Sequence, residues 1–136
     1  MKQVNIRPYN KEMDESNVMG IILNEEGWDY ANEEMREKYV LALEKSITFV
    51  AYSENELCGY CRSLNDFGMY IWVCDLLVAQ LHRGQNIGRQ LMECLYDRFP
   101  DSVVYVMSGA DKFYEKIGYS REGSVFLVPR VVQKNT

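Results

Sequence analysis

Val78-Ala79-Gln80-Leu81-His82-Arg83-Gly84-Gln85-Asn86-Ile87-Gly88 joins an apolar run on its amino-terminal side to a periodic segment on its carboxyl side. The upstream run, Tyr70 to Val78, is apolar at nearly every position, as expected for a central strand covered on both faces. Downstream, Ile87, Leu91, Leu95 and Phe99 recur at four-residue intervals and Pro100 follows, which predicts a helix over Asn86 to Phe99 packed on that sheet. A turn between such a strand and such a helix gathers free backbone N–H groups at the positive end of the helix dipole. Phosphate suits that place: glycine lets the backbone approach closely, Arg83 and Arg89 add charge, and His82 is a further donor. The same residues would also serve an ordinary strand-to-helix turn with solvated arginines, so the surroundings decide.

Those surroundings exclude a dinucleotide-binding fingerprint, which needs its glycine turn after the first strand and an acidic residue about 20 residues further on. Here several strands come first. Gln3 to Arg7 alternates and is stopped by Pro8, and Lys11 to Asn24 carries Val18, Ile21 and Ile22 at helical spacing. After Gly27, with Asp29 or Asn32 as cap, Met35, Tyr39 and Leu43 mark a second amphipathic helix. Thr48 to Ser53 and Leu57 to Ser63 form a hairpin pattern about Glu54-Asn55-Glu56, and the turn cluster Asn65-Asp66-Phe67-Gly68 leads into Tyr70 to Val78, completing a meander. Beyond the helix, Val103 to Met107 predicts a strand, Ala110 to Lys116 a short helix closed by Gly118, and Ser124 to Val128 a final strand.

At 136 residues the chain is expected to form a single domain, residues 1–136, and its apolar fraction of 47% suffices for a packed core. The formal charge of −5 is unevenly spread: Met1 to Leu81 carries 7 basic against 14 acidic residues, and His82 to Thr136 carries 8 against 6. An acidic chain without a basic stripe is a poor nucleic-acid binder, while its acidic half suits a cationic substrate. No apolar run approaches the roughly 18 to 20 residues that cross a bilayer, so no membrane partner is expected. Cys58, Cys61, Cys74 and Cys94 lie in apolar or strand-like stretches and the amino terminus shows no charged-then-apolar signal, which points to a reducing cytoplasm.

Arg83-Gly84-Gln85-Asn86-Ile87-Gly88 closely resembles the signature of the GNAT superfamily of acyl-CoA-dependent N-acyltransferases, Arg/Gln-x-x-Gly-x-Gly/Ala after a strand ending in Val. Ala110-Asp111-Lys112-Phe113-Tyr114-Glu115-Lys116-Ile117-Gly118-Tyr119 resembles that family's Ala-x-x-x-Tyr-Glu-Lys-x-Gly-Phe segment, and the two together are far more specific than either. The order of elements agrees from Val4 to about Val128. Asn86 stands where the family usually has glycine and Gln80 where proline is common. Asn tolerates left-handed backbone better than other non-glycine residues, so the turn can survive.

The resemblance implies a mixed α/β (α+β) fold: a mostly antiparallel central sheet of about six to seven strands, flanked by about four helices. It implies direct attack of a primary amine of a small molecule on acetyl-CoA as co-substrate, without a metal and without a covalent enzyme intermediate. Leu77 and Val78 match the positions where backbone groups pair with pantetheine, and His82, Arg83, Gly84, Gln85, Asn86, Ile87, Gly88 and Arg89 match the pyrophosphate turn. A backbone amide near Val78 would face the thioester oxygen as a preorganised donor. An alkyl ammonium with a pKa near ~10.4 must lose a proton before attack, and Asp75, alone among apolar neighbours, is the candidate base. The other reading of Asp75 is a buried structural carboxylate accepting backbone hydrogen bonds. Tyr114 matches the family's acid for the departing thiolate, the alternative being a packing ring with its hydroxyl in water. The first two helices and their connection shape the acceptor pocket in this family, which makes Trp28 and Tyr30 candidate lining residues. A homodimer is a common assembly among such proteins.

Two other patterns carry less. Cys58-x-x-Cys61 lacks the second ligand pair a structural zinc needs, and on a regular strand the two side chains would face opposite ways. His82 is the only histidine, and no nucleophile elbow accompanies it. The rival readings are a non-catalytic acyl-CoA-binding module and an acetyltransferase that acts on a protein amine.

Overall fold

The computed structural model describes residues 3–130. The elements run β1 (Asn5–Pro8), α1 (Lys11–Leu23), α2 (Glu33–Lys45), β2 (Ile47–Ser53), β3 (Glu56–Asn65), β4 (Tyr70–Val78), a 3-10 turn (Gln80–His82), α3 (Ile87–Glu93), α4 (Leu95–Arg98), β5 (Val103–Val106) and α5 (Asp111–Lys116). The strands form one sheet in the order β1-β2-β3-β4-β5, antiparallel except for the parallel β4–β5 pair. The mixed, mostly antiparallel architecture is as the sequence leads one to expect, with five strands among the described residues rather than six to seven. The single helix expected over Asn86 to Phe99 is α3 and α4, which meet at Cys94 in a near-helical conformation.

Helices cover both faces. On one face α1 contributes Val18, Met19 and Ile22, and α2 contributes Tyr39 and Leu43, against Val50, Tyr52, Leu57, Tyr60 and Leu77 of the sheet. On the other, Ile87, Leu91, Met92 and Leu95 pack on Phe49, Ala51, Cys58, Cys61, Ile71 and Val73. The amino end of α1 is fixed by Asn10, whose side chain accepts from the Met13 amide. Buried Asp14 anchors the same helix to β1 and β2, accepting two hydrogen bonds from Arg7 at 2.7 and 2.8 Å and one from Tyr52 at 2.7 Å. No helix among the described residues is long and apolar enough to cross a membrane.

Two bulges break the period-two alternation on which the sequence reading relied. In β3, Ala51 pairs with Gly59 but Tyr52 pairs with Leu57, so Cys58 is an extra residue. In β4, Arg62 pairs with Asp75 but Ser63 pairs with Val73, so Cys74 is extra. An extra residue turns the following side chains to the other face. Cys58 and Cys61, expected on opposite faces, therefore share one apolar cluster, and Asp75 points away from the face that Ile71 and Val73 occupy.

The final strand expected over Ser124 to Val128 is not formed. Its composition suits a strand, but a strand needs a ladder partner, and no described strand pairs with it. Val125 to Val128 are instead exposed by 75 to 94%.

Candidate functional site

β4 is held along its whole length by β3, from Asn65↔Ile71 to Gly59↔Val78. Its other edge pairs with β5 only from Tyr70↔Val103 to Val73↔Val106, with one further bond from the Met107 amide to the Val73 carbonyl at 3.0 Å. From Cys74 to Val78 the two strands part, and β4 has no strand partner on that edge among the described residues. An open cleft of about 510 Å³ is lined by residues 108–113, from the loop after β5 into α5.

The turn after β4 has the geometry of a backbone cradle. Gly84 (φ 78°) and Asn86 (φ 66°) are both left-handed, so Asn86 adopts the conformation that a glycine would hold there. Asn86 is the N-cap of α3 but its side chain caps nothing, and its carbonyl accepts from the Gln90 amide and side chain at 3.2 and 3.1 Å. Gln85 precedes this cap and Ile87, 1% exposed, anchors the first turn of α3 in the core. Gly88 lets α3 lie close to the sheet and α5: a Cβ there would sit 3.4 Å from Leu76, 3.5 Å from Phe113 and 3.6 Å from Val78.

The charged residues of the turn face neighbouring acids. Arg83 donates to the Val78 carbonyl at 2.9 Å and pairs with Glu25 in the connection between α1 and α2. Arg89 pairs with Glu93 one turn on, at 2.7 Å. His82 is buried on the 3-10 turn, with its Nε2 3.3 Å from a Glu56 carboxylate oxygen.

On the α1/α2 face, Asp75 is 7% exposed and is the hub of a polar network. Its Oδ2 accepts from Arg62 Nε at 2.6 Å and from the Tyr39 hydroxyl at 2.8 Å, while Oδ1 accepts from Tyr30 at 3.3 Å. With Tyr39 donating to Asp75, the Tyr60 hydroxyl donates to Tyr39 across 2.6 Å. Tyr30 stacks on Tyr39 at 4.1 Å, and Trp28 sits edge-on to Tyr30 and Tyr60 at 5.8 and 6.5 Å. Burial first, and the nearby Asp75 charge after it, hold the Tyr30 phenol above its ordinary value. Burial opposes the Arg62 charge, but the Asp75 carboxylate outweighs it and raises Arg62 above the usual arginine range.

Trp28 and Tyr30 are thus brought together with Asp75, which lies 45 positions beyond Tyr30 in the sequence. Arg62, Tyr39 and Tyr60 complete the group, and sequence reasoning missed them as polar partners. One signal was present: Arg62 is the lone cation in an apolar strand and Asp75 the lone acid in the next, the pattern of a cross-strand ion pair.

Tyr114 lies on the opposite side of the sheet. It packs partly buried against the α3-side core, in contact range of Phe113 (5.0 Å, edge-on) and Tyr119 (6.2 Å, stacked). Desolvation pushes its phenol up to about 12. The unpaired part of β4 therefore runs between a tyrosine on one face and the Tyr30–Asp75 pair on the other.

The chain matches the acetyltransferase (GNAT) domain family over residues 44–121. Its fold is shared with solved structures of low sequence identity. An aminoglycoside acetyltransferase from an uncultured soil metagenomic sample superposes with a TM-score of 0.69 at 21% identity, over 95% of this chain and 99% of the other. A ribosomal-protein-alanine N-acetyltransferase from Brucella melitensis biovar Abortus 2308 gives 0.71 at 17%, over 94% and 100%. The aminoglycoside N-acetyltransferase AAC(6')-Iy, in complex with CoA, gives 0.71 at 12%, over 94% and 95%. Among curated proteins, none matches.

Proposed function

The chain belongs to the GNAT acetyltransferase family, and on that premise we propose that it transfers the acetyl group of acetyl-CoA to a primary amine of a small molecule, by direct attack in a ternary complex. The observation that carries this reading is the parting of β4 from β5 at Cys74–Val78, flanked by Tyr114 on one face and by Tyr30 and Asp75 on the other. A cofactor and an acceptor can then approach one strand from opposite sides.

The chain fits CoA on its own geometry. Leu77 and Val78 lie on the stretch of β4 that has no strand on its β5-side edge, where pantetheine would run, and Gly84, Gln85, Asn86, Ile87 and Gly88 offer a left-handed turn and the uncapped start of α3 for the pyrophosphate. Arg83 and Arg89 stand beside that turn and His82 beneath it, and the two arginines exchange a carboxylate for a phosphate when the ligand arrives. CoA supplies an activated thioester. The complex of AAC(6')-Iy with CoA supports this choice of co-substrate.

Asp75 draws the proton from the bound ammonium through the Tyr30 hydroxyl, its Oδ1 having no other side-chain partner while Oδ2 is taken by Arg62 and Tyr39. Trp28 and Tyr30 wall the acceptor side. Tyr114 keeps its proton at neutral pH and donates to the departing sulfur. Cys61, Cys74 and Cys94, all free thiols, accord with a reducing cytoplasm.

A panel of amines offered with acetyl-CoA, read as thiol release, tests the reading; turnover on at least one small amine is expected. One observation favours a second reading. Asp75 is already committed to Arg62, as in a purely structural pair, which suits a non-catalytic acyl-CoA-binding module. Tight acetyl-CoA binding by calorimetry, with no turnover on any small amine or peptide amine, would decide for the module.

A further inference from the structure

On the face of the sheet that carries Asp75, the amino-terminal half of β4 and the adjoining β5 stand outside the core that α1 and α2 build. Ile71 and Val73, like Val104 and Val106, join the α3-side core, so Tyr70, Trp72, Val103 and Tyr105, which alternate with them, point to the Asp75 side. Leu64 pairs with Trp72 and shares that face. None of these five residues belongs to the α1/α2 cluster, and Leu64 and Val103 are each 47% exposed. A contiguous apolar patch left outside a core marks a binding surface.

Trp72 and Tyr105 stack with ring centroids 5.0 Å apart and planes 27° from parallel. That separation is close to the strand spacing of about 4.8 Å, so the two rings stand side by side and upright on the sheet. Tyr70 leans on both, 6.0 Å from Trp72 and 5.4 Å from Tyr105. Stacking occupies the facing sides of Trp72 and Tyr105 and turns their edges outward. A ring edge is the positive rim of the aromatic quadrupole and seeks the electron-rich face of another aromatic ring, whereas a cation seeks a ring face. A saturated ring has no such face to offer. The chemistry that fits a row of edges is therefore a flat aromatic group laid across them.

We propose that this patch is the specificity site for the acceptor and that the acceptor is an arylalkylamine, its ring laid on Trp72, Tyr105 and Tyr70 and its amine held at Tyr30 and Asp75. The assignment rests on the reading of the Tyr30–Asp75 pair as the place where the amine is deprotonated. The spacing agrees with it. Asp75 pairs with Arg62 and Trp72 with Leu64, two positions apart on β3, so the row of rings begins about 7 Å from Asp75 and a short alkyl chain bridges the gap.

Phenethylamine and cyclohexylethylamine, which differ in whether the ring is aromatic, make the decisive pair. With acetyl-CoA saturating, kcat/KM should favour phenethylamine by about tenfold, the upper range for one edge-to-face contact. Trp72→Leu and, separately, Tyr105→Leu should each bring that ratio toward one, whereas a loosened fold would lose both substrates alike. Binding is read apart from turnover: with CoA present, phenethylamine should shift the indole N–H resonance of Trp72, identified by its loss in Trp72→Leu, and cyclohexylethylamine should shift it far less. Turnover without an aryl preference, or with a preference for an amino sugar such as glucosamine, overturns the assignment and leaves acetyl transfer standing. A preference that survives both substitutions overturns it as well. No turnover on any amine, with the Trp72 resonance still shifted selectively by phenethylamine, overturns acetyl transfer and keeps the aryl-binding site. No turnover and no selective shift overturns both.

Discussion

At Tyr114 a single oxygen separates packing from chemistry. Phenylalanine keeps the ring contacts with Phe113 and Tyr119 and removes only the donor. Tyr114→Phe should therefore leave acetyl-CoA affinity and melting temperature nearly unchanged and lower kcat by about a hundredfold, the usual worth of a positioned acid; an unaltered kcat removes Tyr114 from the reaction. The pH profile carries a second check. The acid must be protonated to act and burial pushes it up to about 12, so its loss of activity belongs near that value. Below it, kcat/KM should climb with pH as the amine, with a pKa near ~10.4, loses its proton. Asn86 poses the opposite question, of backbone rather than side chain. Its φ of 66° suits Gly and Asn and strains Ala. Asn86→Gly should bind CoA as the parent does, whereas Asn86→Ala, at about 1 kcal/mol for the left-handed conformation, should weaken binding roughly fivefold by calorimetry. That Asn could replace glycine here was legible in the sequence, because the tolerance belongs to the residue itself. The engagement of Arg83 with Glu25 was not, because it joins residues 58 positions apart through the fold.

Elements with strong internal periodicity were legible, and β4 occupies the very span, Tyr70 to Val78, that its apolar run marks. Ile87, Leu91 and Leu95 likewise fall on the buried side of α3 and α4. What the pattern could not carry is pairing. The bulges at Cys58 and Cys74 arise where two residues oppose one, and no alternation within one strand records its neighbour's count. The same limit touches Ser124 to Val128: β propensity belongs to the segment, but a strand is a relation between two segments, and no described strand pairs with this one. Gly59 shows how tightly β3 and β4 are registered next to the cleft. A Cβ there would lie 2.7 Å from the Leu77 carbonyl oxygen and 3.2 Å from Val78 Cα, both backbone atoms that must move to admit it. Gly59→Ala should lower stability by about 1 to 3 kcal/mol in denaturant melts, as overpacking does, and should also weaken acetyl-CoA binding because the displaced residues are Leu77 and Val78. Loss of stability with intact CoA affinity would mean that those two positions do not hold the cofactor.

For the whole molecule the uneven charge acquires a place in the fold. The residues through Leu81, 7 basic against 14 acidic, build α1, α2 and the strands β1 to β4, and so surround the Tyr30–Asp75 face. The remainder, 8 basic against 6 acidic, holds the turn beside α3. On the proposed reading, the excess of acidic residues through Leu81 would favour the encounter of a cationic amine with the Tyr30–Asp75 side. Such fields act mainly on encounter and are screened within about 10 Å at 0.1 M salt. Raising ionic strength should therefore lower kcat/KM for the amine while leaving kcat nearly constant. The slope should be steeper for a polyamine than for a monoamine of similar size, since each added charge couples to the same field. Equal slopes for the two would place recognition in local contacts around Trp28 and Tyr30, and would leave the acidic face with no part in drawing the acceptor in.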